Sequence, residues 1–176
     1  MSALGQSLSV ILITFFLLGV ESPLLQELHV SSFPPDLALV PVLWLALHVP
    51  PATGMVASLV IGLIKDGFVM GVPVGMYAEI SVVTFLVARF LTSKVPIRGL
   101  SSLMITTMLL SVLASMLLAL LSLLFDPAFQ GHGTVLRLAG PVALVSAPFA
   151  PLVFFVLDRT DSLFARSRQR DAIFGR

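Results

Sequence analysis

The chain contains no cysteine. Disulfides, thiol nucleophiles and thiolate metal ligands are therefore excluded together. Charge is almost as scarce: 11% of the 176 residues are Asp, Glu, Lys or Arg, against about 25% in an ordinary soluble domain. A chain so poor in charge cannot cover a soluble core with polar surface. The net charge of +1 leaves no electrostatic footprint for nucleic acid. The first twenty residues carry no Lys or Arg, so the positive segment that opens a secretory signal is missing. The first apolar run is expected to be kept as a helix. Histidine is sparse, and His29, His48 and His132 nowhere show the i, i+4 spacing of a helical zinc site. No Gly-x-Ser-x-Gly elbow appears. The composition implies no cofactor, no metal and no catalytic constellation.

What is present is apolar sequence: 57% of residues are hydrophobic and the mean hydropathy is +1.07. The expected class is an all-α integral membrane protein. A helix needs about 20 mostly apolar residues to span the hydrocarbon core. Six runs are expected to form helices, over residues 4–20, 37–49, 52–66, 74–91, 99–125 and 138–157. The second is short. Pro34, Pro35 and Asp36 open it, and Pro50 and Pro51 close it, as start and stop signals do. Pro141, Pro148 and Pro151 are expected to bend the sixth. A basic tail, 159–176, follows the six-helix domain of 1–158.

Eight of the ten basic residues fall in two segments, Arg89, Lys94 and Arg98 between helices four and five, and five arginines from Arg159 to Arg176. Lys and Arg concentrate on the cytoplasmic side of short loops. Six spans place both segments on that side, with both termini cytoplasmic. The arginine-rich tail suits either anionic lipid of the inner leaflet or a plain role in fixing topology.

The stretch "GLIKDGFVMGVPVG", residues 62–75, is the main polar intrusion. Gly67, Gly71 and Gly75 recur every four residues, as in close helix packing. Pro73 argues instead for a helix end, a tight turn and a new helix. Charges inside a membrane bundle pair with one another or line a pathway. The hairpin is expected to pair Lys65 with Glu79 or with Asp66. A proton or ion relay would need further titratable groups, and the other helices offer no interior acid. Ser111 and Ser115 in the fifth helix, and Ala139, Ala143 and Ala147 in the sixth, form small-residue faces suited to helix contacts within the bundle or with a partner. Trp44 reads most simply as a packing residue.

Pro35, Asp36 and Leu37 opening a short helix, then Gly62, Leu63 and Asp66, then Gly71, Pro73 and Gly75, together resemble the rod shape-determining protein MreD family. Lys65 stands where that family's pattern leads one to expect a neutral polar residue. The resemblance implies a six-helix fold similar to the S-component of energy-coupling-factor transporters. It also implies a non-enzymatic scaffold of the bacterial inner membrane, binding MreC and acting with MreB, RodA and its partner transpeptidase in side-wall peptidoglycan synthesis. The alternative it raises is the substrate-binding membrane subunit of a vitamin transporter of that type.

Overall fold

The computed structural model describes residues 3–27, 35–69, 73–94, 99–125 and 132–174. Among the described residues there are seven α-helices and no strand: α1 (Ala3–Glu27), α2 (Leu39–His48), α3 (Pro51–Phe68), α4 (Met76–Lys94), α5 (Leu100–Phe125), α6 (His132–Ser146) and α7 (Phe149–Phe174). Four of them, α1, α3, α4 and α5, are long and apolar enough to cross a membrane. The pair α6 and α7, bent by 52° at the break between them, makes a fifth span if counted as one. The chain is a multi-pass membrane protein.

The helix expected over 37–49 is ten residues long. At 1.5 Å per residue it covers about 15 Å, roughly half the hydrocarbon core. It is apolar all round, with Leu39, Val40, Pro41, Val42, Leu43, Trp44, Leu45 and Ala46 all buried, which marks an enclosed helix. α2 packs against α1, α3, α4, α5 and α7. Those five also contact one another in sequence around it, α1 to α3, α3 to α4, α4 to α5, α5 to α7 and α7 to α1. α2 is the axis of the bundle. Outside, Leu8, Phe16, Leu109, Leu120, Leu152 and Phe155 are exposed, as surfaces facing lipid should be.

Several boundaries differ from expectation. α1 runs on past Pro23 to Glu27, since a proline removes one backbone hydrogen bond without always ending a helix. The sixth helix is two. Pro141 lies inside α6, and the chain breaks at Ala147–Pro148, where the residue before a proline is pushed away from helical angles. α7 continues as helix to Phe174, through most of the basic segment. The expected turn does lie between α3 and α4, and Gly75 there has φ +103°, a conformation that favours glycine. Gly71 falls outside the described residues, as do Pro34, His29 and Arg98.

In a bilayer no hydrophobic force draws helices together, so small residues that allow close approach carry much of the packing. α3 and α4 form the tightest such pair. Gly54, Ser58 and Gly62 repeat every four residues and are all buried. A Cβ on Gly62 would overlap the backbone of Tyr77 and Ala78, and one on Gly54 would strike the Phe85 ring at 2.5 Å. Ala139 and Ala143 on α6, and Ala147 in the break after it, are buried, and α6 packs chiefly on α5. Ser111 is buried in α5 and Ser115 half-buried. These small-residue faces are spent inside the chain.

Gly62→Leu is expected to destabilise the protein by about 1–3 kcal/mol through overpacking. Gly67→Ala, where a Cβ meets nothing within 4 Å, should stay within about 0.5 kcal/mol. Thermal unfolding in detergent compares the two, and equal midpoints would contradict the α3–α4 contact.

Candidate functional site

Polar groups gather at the two ends of α2. At its N-terminal end α1, α2, α3 and α4 converge. Lys65 Nζ on α3 lies 2.7 Å from Asp36 Oδ2, with side chains only 14% and 18% exposed. The same ammonium sits 4.4 Å from the Tyr77 ring centroid, a cation–π distance. Glu21, in α1, is within Coulomb range of both Asp36 and Lys65. The Asp36 backbone N–H donates to Ser146 Oγ at 2.8 Å, and that hydroxyl donates on to Val142 O at 2.8 Å. Asp36 thus ties the start of α2 to α3 by charge and to α6 by its backbone. Leu37 N–H closes a tight turn onto Pro35 O at 3.2 Å. The Pro-Asp-Leu segment is the entry to α2.

This arrangement corrects the expected Lys65–Glu79 pair. Ala78 presents its backbone to Gly62 and so faces α3. Glu79, turned about 100° further round the helix, is exposed and points away from Lys65. The ammonium is satisfied from α2, a helix the hairpin geometry alone does not bring into view. Asp66 does not pair with Lys65 either, because both its oxygens are spent on α4. Oδ2 accepts from Gly75 N–H at 2.9 Å and Ala78 N–H at 3.3 Å, and Oδ1 from Tyr77 N–H at 3.0 Å. The first N–H groups of a helix have no partner within it, and a carboxylate there also meets the favourable end of the helix dipole. Gly75 has no side chain to cap with, so Asp66 supplies the cap from the end of α3. Leu63 is exposed and takes no part in the cluster, and Pro73 accepts a hydrogen bond from Met76 N–H at 3.3 Å in the turn.

The C-terminal end of α2 mirrors this with other chemistry. Arg89 Nη1, from α4, donates to Val49 O at 2.7 Å and Ala46 O at 3.2 Å. A guanidinium here satisfies carbonyls that the helix cannot and meets the negative end of its dipole. Trp44 is 1% exposed, and its indole N–H donates to Asp158 Oδ1 on α7 at 2.7 Å. His48 stacks on the Trp44 ring at 4.4 Å between centroids. Gln6 Nε2 donates to Asp161 Oδ1 at 3.0 Å, joining α1 to α7. Beside this end an open cleft of about 550 Å³ is lined by His48, Leu103, Phe154 and Asp158 among others. Sequence reasoning missed these roles for Arg89, Trp44 and Asp158. The available signal was an arginine embedded in the apolar run of α4.

The described His, Asp and Glu residues form no group of three placed to hold a metal. No family model, curated protein or solved structure matches the chain.

Removing one member of a buried ion pair strands the other and typically costs about 3–5 kcal/mol. Asp36→Asn and Lys65→Met should each destabilise on that scale, and the double change Asp36→Leu with Lys65→Met should recover most of the loss. Glu79→Gln should stay within about 0.5 kcal/mol. Asp66→Ala should cost about 0.5–2 kcal/mol, as the loss of a helix cap does. A double-mutant cycle by thermal unfolding decides between the two pairings: coupling between Lys65 and Glu79 rather than Asp36 would overturn the assignment.

Proposed function

We propose that the chain is a non-enzymatic scaffold of the MreD type in the bacterial inner membrane. In this reading it has six membrane helices, α2 being the short second one and α6 with α7 the sixth, and both termini are cytoplasmic. Its partner is MreC, and MreB, RodA and the RodA-associated transpeptidase act in the same complex to build side-wall peptidoglycan. The observation that carries the reading is where the resembling residues lie. Asp36 is far in sequence from Gly62, Asp66 and Gly75, yet all four belong to one junction where α2, α3 and α4 meet. A pattern shared across such a junction bespeaks a shared fold more than a shared reaction. The distribution of arginine and lysine supports the orientation.

The second reading, a substrate-binding subunit with an S-component-like fold, calls for a pocket of roughly 300–1,000 Å³ at the end facing outward. The cavity at the Asp36–Lys65 end is only about 10 Å³. Wider clefts, of about 550 and 360 Å³, lie at the end carrying Arg89 and Lys94. This distribution favours the scaffold.

Affinity isolation of the full chain from bacterial membranes tests the choice. The scaffold reading expects a bitopic coiled-coil protein with cell-wall synthases. Recovery of an ATPase module in their place would favour transport and overturn the scaffold.

A further inference from the structure

Beside the Asp36–Lys65 pair lies a small cavity between α2, α3, α4 and α5, lined by Asp36, Lys65, Tyr77, Ser81, Thr84 and Ala114 among others. Its volume of about 10 Å³ holds about one water molecule. Two of the groups around it have hydrogen-bonding capacity that no protein atom meets. Asp36 Oδ1 is buried without a partner, Lys65 having taken Oδ2. Thr84 is 2% exposed and its Oγ1 is likewise unpartnered.

The second case differs from several other buried hydroxyls of this chain. Hydroxyls buried in a membrane helix commonly donate to the carbonyl one turn back. Thr14 does so to Val10 O at 2.7 Å, and Thr107 to Leu103 O at 2.9 Å. Thr84 does not. A buried hydroxyl that forgoes this local bond, lining the same cavity as a carboxylate with an unpartnered oxygen, is costly unless something meets them both.

We propose that a single water molecule occupies this cavity and bridges Asp36 Oδ1 to Thr84 Oγ1, with Ser81 as a third neighbour. Buried waters make about two to four hydrogen bonds to such groups. A metal cation fits less well. The carboxylate is already neutralised by an ammonium 2.7 Å away, and the cavity is lined by no second acid. The water joins α2 to α4 where the ion pair joins α2 to α3, so the entry to α2 is held from both sides of the hairpin.

Radiolytic hydroxyl-radical labelling of the full chain in nanodiscs tests this, because bound water generates radicals in place and Tyr77 lines the cavity. Tyr77 should be labelled in the unaltered protein, and Thr84→Val, which keeps the shape and removes the hydroxyl, should lower that labelling several-fold. Thr84→Ser should restore it, and it also serves if the valine variant does not fold. Equal labelling of Tyr77 in the valine and unaltered proteins, or loss of labelling in the serine variant, would overturn the proposal. So would a thermal midpoint raised by sodium chloride over choline chloride in the unaltered protein but not in Asp36→Asn, since that would assign the space to a cation.

Discussion

Everything in this bundle answers to one mismatch of length: a helix of about 15 Å stands at the centre of a layer about 30 Å thick. A full-length span leaves its unsatisfied terminal N–H and C=O groups near water. α2 cannot. At least one of its ends must stop short of the interface, at a depth where an unpaired backbone group costs several kcal/mol. The surrounding helices must therefore bring polar atoms inward to meet it. They do so at both ends: a serine hydroxyl on α6 accepts the backbone N–H of Asp36 just ahead of its start, and an arginine covers the carbonyls of its end, as the helix dipole favours.

Bringing charge to that depth imposes further demands. Asp36 needs a cation, which α3 supplies as Lys65, and that fixes how far α3 reaches past the start of α2. The next residue, Asp66, is then in position to cap α4, provided α3 and α4 lie almost in backbone contact. Gly62 permits that contact. Ser146 must reach Asp36 from the far side, so α6 ends there, and the 52° break before α7 redirects the chain along α2 towards Trp44 and Asp158. The glycine, the capping carboxylate and the break are consequences of one buried terminus rather than separate features.

The sequence made some of this plain and hid the rest for identifiable reasons. Composition alone required a membrane protein, and unbroken apolar runs located α1, α3, α4 and α5 to within a few residues, apart from the C-terminal end of α1. The prolines around 37–49 showed that the helix between them is short. That it lies at the axis was not visible, because the contacts that put it there join residues 110 and 114 positions apart. Charge pairing was misjudged for the same reason: Lys65 and Glu79 are close along a hairpin, whereas Asp36 reaches Lys65 only through the tertiary fold. Among the glycines, the spacing of 67, 71 and 75 is conspicuous in the sequence, but a proline interrupts it. The equivalent spacing of Gly54, Ser58 and Gly62, inside α3, carries the packing. Three prolines pointed to a bent sixth helix, and the 52° bend falls at one break, where the turn lets Ser146 meet Asp36.

The same logic bears on what the molecule can do. At the Asp36 end Lys65, Asp66 and one oxygen of Asp36 hold helices to one another, and the space left is about 10 Å³. A residue so committed is poorly placed to bind and release a ligand, since moving it would free the start of α2. At the opposite end α2 stops at His48 while α4 and α7 run on, and the column that a full-length helix would fill stands partly open as the cleft beside Asp158. One end of the bundle is sealed by its own ion pair and the other is not. A half-length axial helix creates that difference.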